Sequence, residues 1–310
     1  MEFGVHLPLM DFGRHPFTLE HLVAYSRTAR DLGFDAISAN DHLVFGVPWL
    51  DGPTALSAVI EHSGDMMLAT TVALPVVRGP LPLAKALGAV DRLSGGRLVA
   101  GVGPGSSADD YDAAGVDFSQ RWPRFDESIQ VLRALWRDEP EPFVGRFYST
   151  AGIHLAPPPA RPGGPPIWVG SWGSDAGLRR VARLADGWLA SAYNITPDQF
   201  AGAWDRLRTL LPEHGKDADN FPNALATMWC YITDDDAEAE RVLQERVIPT
   251  VHRPGEVLRK RLPIGTAERF AEKLSAFARA GVQRVFIWPV ADEVEQLDRF
   301  WQEVRPLVSP

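Results

Sequence analysis

The feature that most constrains this chain is an alternation. Eight times, a short apolar run is followed by an amphipathic stretch with helical spacing. The apolar runs fall at residues 3–7, 34–39, 67–74, 98–102, 167–170, 188–191, 224–232 and 285–288. The helical stretches fall at 18–32, 54–61, 81–93, 124–136, 175–185, 197–211, 267–280 and 294–304. In the first of these, Leu19, Leu22, Val23, Ala29 and Leu32 recur near helical spacing. Thr18 stands where an N-cap is wanted and Gly33 where the helix must stop. Thr196 and Pro197 open another helix in the same manner. Strands joined through helices pair in parallel, because each crossover returns the chain to the end of the sheet where it began. For 310 residues with no linker and no fixed-period repeat, the simplest solution is an α/β fold: one (β/α)8 TIM barrel covering residues 1–310. A doubly wound open sheet is the rival.

Two insertions interrupt the pattern. Residues 138–166 are rich in proline and run from a helix into a strand, which places them at the N-terminal face of a barrel in a structural role. Residues 234–265 run from a strand towards a helix, which places them over the C-terminal mouth, where barrel enzymes do their chemistry. This second insertion carries its own helix near 237–247, capped by Asp234, Asp235 and Asp236. A lid and a passive surface insertion are both open readings.

Charge excludes some partners. The formal net charge is −9, so the chain repels phosphate backbones and nucleic acid is not an expected partner. The single cysteine, Cys230, rules out an internal disulfide and fits a reducing, cytoplasmic setting. The first residues lack the charged and apolar regions of a signal peptide, and no apolar run is long enough to span a membrane. The eight histidines, at 6, 15, 21, 42, 62, 154, 214 and 252, show no metal-ligand spacing, so no metal is expected. No Gly-x-Ser-x-Gly elbow occurs, and none of the four lysines stands at a strand end.

The informative residues of a barrel stand at the C-terminal ends of its strands. Here these include His6, then Asn40, Asp41 and His42, then Thr71 and Val72. Histidine titrates near neutrality, and an adjacent carboxylate can tune and orient it. His42 with Asp41 is therefore the best acid–base candidate, against the alternative that Asp41 caps a turn and His42 packs. Neighbours on a strand point to opposite faces, so a direct contact between them requires the chain to bend. His6 is a weaker candidate. Gly170, Ser171, Trp172, Gly173 and Ser174 precede a helix, and small residues there let backbone N–H groups approach an anion. A tight turn that simply needs glycine explains the same residues. The run Gly101, Val102, Gly103, Pro104, Gly105 is not a dinucleotide fingerprint, because no helix opens directly behind it. Its glycines instead suit a chain that passes close to a flat ring. Trp49, Trp172, Tyr193, Trp229 and Trp288 suggest an aromatic pocket, although aromatic residues are also ordinary core.

Taken together, three segments resemble the luciferase-like monooxygenase superfamily: residues 29–42, 69–103 and 166–189. The most specific run is Leu83-Ala84-Lys85 followed by Asp91-Arg92-Leu93-Ser94-Gly95-Gly96-Arg97 and then Gly101-Val102-Gly103. The resemblance implies a barrel that binds reduced FMN or the deazaflavin F420. It implies a non-proline cis peptide at Thr71–Val72 beneath the ring, and a phosphate loop over Gly170, Ser171, Trp172 and Gly173. His6, Asn40, Gly103 and Ser106 would also border the cofactor, with His42 and Asp41 as the catalytic pair. One departure matters: similar sugar-phosphate dehydrogenases carry a glutamate where this chain has Ser106, so their acid–base scheme does not transfer. The nearby Asp109, Asp110 and Asp112 offer an alternative carboxylate, but the favoured reading is that they are solvated loop residues.

The leading functional reading is F420-dependent hydride transfer to or from a small organic substrate. The alternatives are an FMNH2-dependent monooxygenase served by a separate flavin reductase, and a non-catalytic flavin-binding protein. A homodimer is compatible with any of them. For F420, the cluster Arg246, His252, Arg253, Arg259, Lys260 and Arg261 offers a basic rim to an anionic tail, against the simpler reading of a solvated helix face.

Overall fold

The computed structural model describes residues 1–309 other than 14, 15, 139, 140 and 252. His15 and His252 therefore lie outside the described residues. Eight strands form the barrel: β1 (Glu2–His6), β2 (Ala36–Ala39), β3 (Met67–Thr70), β4 (Leu98–Val102), β5 (Ile167–Gly170), β6 (Gly187–Ser191), β7 (Asn223–Ile232) and β9 (Arg284–Pro289). All of them pair in parallel, each with the next in sequence. The β7–β9 and β9–β1 ladders close the ring. The two-residue β8 (Ile264–Gly265) adds only to the upper end of β7, through Tyr231 and Ile232. The expected closed barrel is thus the observed one, and the open sheet is excluded.

The helices form because their sequences are capped and amphipathic. Thr18 accepts the His21 amide and Gly33 ends the helix Leu19–Leu32 in the left-handed region, at φ 92°. Thr196 and Gln199 form a capping box at Pro197–Leu210. The helix faces that these patterns bury meet the outward residues of the strands, such as Val5, Ile37, Leu68 and Ile287, in the main core.

Inside the barrel the pleat sorts residues by parity. A lower layer is filled by Ala36, Ala69, Val99, Trp168, Leu189, Ala224 and Phe286. Glycine supplies the room for the large members. A β-carbon at Gly187 would lie 2.5 Å from the Trp168 ring, and one at Gly4 would lie 2.7 Å from Phe286. Two residues further along the strands, the same parity turns His6, Ser38 and Trp288 towards the mouth, with Asn40 two residues beyond Ser38.

One strand breaks that parity. The β7–β9 register slips between Leu225 and Met228, leaving one extra residue in β7. Thr227 sits there at φ 56°, unusual for a β-branched residue, with its hydroxyl 2.9 Å from that of Ser191. Below the bulge Leu225 packs outward; above it Met228, Cys230 and Ile232 take that side. Trp229 and Tyr231 consequently face the mouth.

Both insertions lie at the expected ends. In the first, the Arg161 guanidinium pairs with buried Asp91 at 2.7 Å and also meets the Leu98 carbonyl at the start of β4. The second leaves β7 at its C-terminal end and returns there through β8. It contributes the helix Asp236–Val242, capped by Asp235, and the helix Gly255–Arg261. Its Val242, Leu243, Val247, Leu258 and Leu262 pack with Phe12, Trp229 and Trp288 over the barrel mouth.

β3 ends at Thr70, immediately before a cis peptide bond between Thr71 and Val72, as the resemblance implies. The Val72 side chain lies across the ends of β4 and β5. A β-carbon at Gly103 would stand 2.7 Å from Val72 Cγ2, and one at Gly170 would stand 3.1 Å from Cγ1. Gly103 is therefore small because Val72 occupies its space. Gly103→Ala should destabilise the protein by about 1–3 kcal/mol through overpacking. The double variant Gly103→Ala/Val72→Ala should recover part of that loss in urea denaturation. Strictly additive losses would show that the two side chains do not compete.

Candidate active site

The strand ends β1, β2, β7 and β9 converge on a row of rings at the mouth. His6 stacks on Trp288 with centroids 3.6 Å apart. Trp288 meets Trp49 at 5.9 Å and Trp229 at 5.8 Å, and Tyr193 stacks on Trp229 at 4.9 Å. Four of the five aromatic residues suggested for a pocket thus come together. The fifth, Trp172, is exposed on the loop after β5.

His6 is fully buried and cannot act as an acid near neutrality. Its Nδ1–H donates to the Leu7 carbonyl at 2.7 Å, so Nε2 carries a lone pair. Burial lowers its pKa to about 3, overriding the Leu7 carbonyl and the nearby Asn40 side chain, which both favour the charged form. Asn40 Oδ1 is buried and has no partner of normal geometry.

Asp41 and His42 part company, as pleat parity requires. Asp41 points away from the mouth and is clamped by Arg78, with Nε–Oδ2 at 2.5 Å and Nη2–Oδ1 at 2.6 Å. Arg78, on the helical turn Pro75–Arg78, also pairs with Asp51, the N-cap of the helix Gly52–Ala58. Burial disfavours the Arg78 charge, but the two carboxylates more than offset this and raise its pKa. The triad ties together the segments that follow β2 and β3. It makes Asp41 a structural anchor in this geometry rather than a direct partner of His42.

The carboxylate that meets His42 is Asp110, which is buried and paired rather than the solvated loop residue expected from sequence. Asp110 is buried on the helix Ala108–Ala113, and its Oδ2 lies 2.6 Å from His42 Nδ1. Its Oδ1 accepts the amides of Leu43 and Val44 at 2.8 and 2.9 Å. Burial pushes its pKa up, yet the bonds from His42, Val44 and Leu43 prevail and hold it below the ordinary carboxylate value. With Nδ1 committed to Asp110, Nε2 is the His42 nitrogen left to meet a ligand. Three acids crowd positions 109, 110 and 112, and only the tertiary fold singles out the middle one. Nothing in the local sequence marks it.

The remaining candidates surround this centre. The Thr71 amide bonds to the Ala39 carbonyl at 2.8 Å and its hydroxyl to Ser38 at 3.2 Å, which fixes Val72 on the floor. Ser106 is exposed on the loop between β4 and the helix Ala108–Ala113. Beyond β5, Ser171 Oγ accepts the Gly173 amide at 3.3 Å, and Ser174 caps the helix Asp175–Leu184 through Gly177. Trp172, Gly173, Ser174, Asp198 and Arg206 border a cleft of about 430 Å³ there. Arg206 reaches the Gly173 carbonyl at 3.2 Å and Asp175 at 3.3 Å.

The basic group on the second insertion disperses. Arg259 is paired with Glu240, and Arg261 donates to the Tyr193 carbonyl at 2.8 Å. Arg246 donates to the Gly13 carbonyl and Arg253 to the Asn194 side chain.

The model of the family described as luciferase-like monooxygenase matches residues 1–253. The chain belongs to the luciferase-like monooxygenase family. An F420-dependent hydroxymycolic acid dehydrogenase of Mycobacterium tuberculosis is 29% identical over 198 residues, covering 61% of this chain and 53% of that protein. The chain spans from 46% to 62% of the length of the curated relatives it matches. Two solved structures share the barrel. Monooxygenase RslO1 from Streptomyces bottropensis superimposes with a TM-score of 0.83 at 22% identity, covering 99% of each chain. An F420-dependent secondary alcohol dehydrogenase holding an F420–acetone adduct does so with a TM-score of 0.83 at 19% identity, covering 100% of this chain and 99% of that one. Among the described residues of this luciferase-like chain, no cluster of three metal-ligating side chains occurs, and no helix is long and apolar enough to cross a membrane.

The buried His6 yields a pH prediction. Its folded pKa of about 3 lies below the ordinary value of 6.5. The unfolded chain therefore binds the extra proton first as pH falls, and the stabilising contribution is present above 6.5 and lost towards 3. His6→Phe should lose less stability than the wild type across that window. The gap should change by at most about 1.4 kcal/mol per pH unit. Urea denaturation at a series of pH values checks this, and parallel curves would refute it.

Proposed function

We propose that this chain is an F420-dependent oxidoreductase that moves a hydride between the deazaflavin and a small organic substrate. The observation that carries the reading is the His42–Asp110 pair at the mouth, with one imidazole nitrogen fixed and the other left for a ligand. The surrounding residues fit a bound deazaflavin. Val72, backed by Gly103 and Gly170, offers a shelf beneath a flat ring. Asn40 Oδ1 and the indole N–H groups of Trp49, Trp229 and Trp288 are buried without partners, as expected where a polar ring system is to be received. The cleft beside residues 170–174 combines a helix N-terminus with Arg206, a setting suited to phosphate.

When bound, the cofactor supplies a ring carbon that gives or takes a hydride. The chain supplies the proton chemistry and the enclosure. His42 Nε2 gives a proton to, or takes one from, a substrate oxygen. Asp110 fixes the tautomer and orientation of the ring, and stabilises it when charged. The insertion at residues 234–265 serves as a lid that keeps water from the mouth. Of the basic group, Arg253 and Lys260 are exposed and placed to meet an anionic tail.

Titrating the protein with F420 and FMN, each oxidised and reduced, tests the cofactor. Micromolar binding of F420 without FMN is expected, whereas FMN binding alone would move the reading to a monooxygenase supplied by a separate reductase. With a substrate found by screening alcohols and ketones for F420 turnover, His42→Ala should lower turnover by about 10²–10⁴-fold and leave cofactor affinity nearly unchanged. Asp110→Asn should act in the same direction. Full turnover in His42→Ala would make His42 a packing residue.

A further inference from the structure

The helix Arg121–Trp136 gathers guanidinium groups and aromatic rings on one face. Arg180 lies over the Trp122 ring at 4.5 Å, and Arg121 lies 4.0 Å from the Phe118 ring. One turn along the helix, Arg124 lies over Phe147 at 4.4 Å, and Arg146 meets the same ring at 4.8 Å. Arg146 and Phe147 reach the helix on a small hairpin closed by Val144 and Ser149. Glu127 holds that hairpin by accepting the amides of Arg146, Phe147 and Tyr148.

The carboxylates of this face are already engaged. Asp126 pairs with Arg180 and Arg183, and Asp117 caps the turn Phe118–Gln120. Glu127 is spent on the hairpin. Among the described residues, no ion pair reaches Arg121, Arg124 or Arg146. Five guanidiniums thus stand with three carboxylates, in a chain whose Asp and Glu outnumber Lys and Arg by 40 to 31. The local charge is opposite in sign to that of the whole. Most of the donors are unspent: Arg121 gives one bond to the Phe118 carbonyl and Arg124 one to Gln120. A guanidinium resting on a ring keeps its N–H edges in a fixed plane, and such an edge matches a carboxylate bidentately. Because the rings already restrict these side chains, less freedom is lost on binding. Trp122 and Val144 are 40% and 73% exposed and add apolar surface at the same place.

We propose that this face docks a protein partner through a short acidic segment. Its carboxylates meet Arg121, Arg124 and Arg146, and an apolar side chain rests on Trp122. Arginine with aromatic rings, set on a helix face rather than in a cleft, is the composition of a protein interface. The positive excess is local, so a long polyanion such as nucleic acid would meet the acidic remainder of the chain. The proposal needs neither a cofactor nor His42.

The probe is a fluorescein-labelled peptide of about ten residues, long enough when extended to span the helix face. Glutamates in it flank one phenylalanine and one leucine, and the control peptide carries glutamine for every glutamate. Fluorescence anisotropy on the full chain should show saturable binding, about tenfold tighter for the glutamate peptide. That binding should weaken about threefold or more as salt rises from roughly 50 to 300 mM. Arg124→Gln/Arg146→Gln should weaken it about tenfold, and Trp122→Ala should act in the same direction. Arg279→Gln/Arg305→Gln, which removes the same charge outside this face, should leave it unchanged. Melting temperature reports folding. If the double variant melts early, Arg146→Gln alone carries the test, with an expected weakening of about threefold.

Equal affinity for the two peptides, no saturation at millimolar protein, or equal weakening by the charge-matched control would each overturn the proposal. Displacement of the peptide by F420 would do so too, since the face would then hold the cofactor tail. So would phosphatidylglycerol vesicles that bind the wild type and not the variant while the peptide binds neither. A mass that halves in the variant by sedimentation would make the face a contact between copies of this chain instead.

Discussion

Closure of the parallel sheet is the constraint on which the rest depends. Once β9 pairs with both β7 and β1, every strand has two neighbours and every inward side chain is committed to the barrel interior. The interior is narrow, so its lower layer has to be filled by matched large and small residues, Trp168 and Phe286 against Gly187 and Gly4. That filled layer is the floor on which the polar and aromatic layer above it stands. His6, Asn40 and Trp288 meet at the mouth because strand direction, register and pleat leave them no other place.

The same constraint divides Asp41 from His42. Adjacent residues on a strand face opposite ways, so a carboxylate next to a histidine in sequence is poorly placed to serve it. Each finds its partner across the fold: Asp41 finds Arg78, and His42 finds Asp110, 68 positions away. A buried ion pair such as Asp41–Arg78 is weak evidence for stability, because desolvation offsets much of the attraction. Its clearer effect is geometric, since Arg78 joins the segments after β2 and β3 and the start of the helix Gly52–Ala58.

The parts of the fold that were legible in the sequence are those set by local pattern. Thr18, Gly33, Thr196 and Pro197 mark helix ends through backbone hydrogen bonding, which a few residues determine. The strands Leu98–Val102 and Ile167–Gly170 stand where continuous apolar runs placed them. The helix Ala108–Ala113 was missed because its acidic sequence reads as a solvated loop, and a buried Asp110 is explained by the approach of His42 and of the Leu43 and Val44 amides. The bulge at Thr227 was equally hidden: alternation in β7 is consistent with either face until the register to β9 is known. At the site, chemistry-bearing residue types could be listed from the sequence, but their pairing could not.

That bulge divides β7 into two parts with separate obligations. Residues before Thr227 answer to the packing of the barrel, and residues after it answer to the ring cluster and the insertion above. The extra residue works as a phase shift in the pleat. A strand of the same length without the bulge would turn Trp229 and Tyr231 into the helical layer and send Met228 and Cys230 to the mouth, exchanging a donor-bearing aromatic wall for sulfur and thiol. Deleting the extra residue would instead regularise the pairing and leave the later side chains on their present faces. The identity of the mouth is thus encoded as much by the register of β7 as by the residues along it.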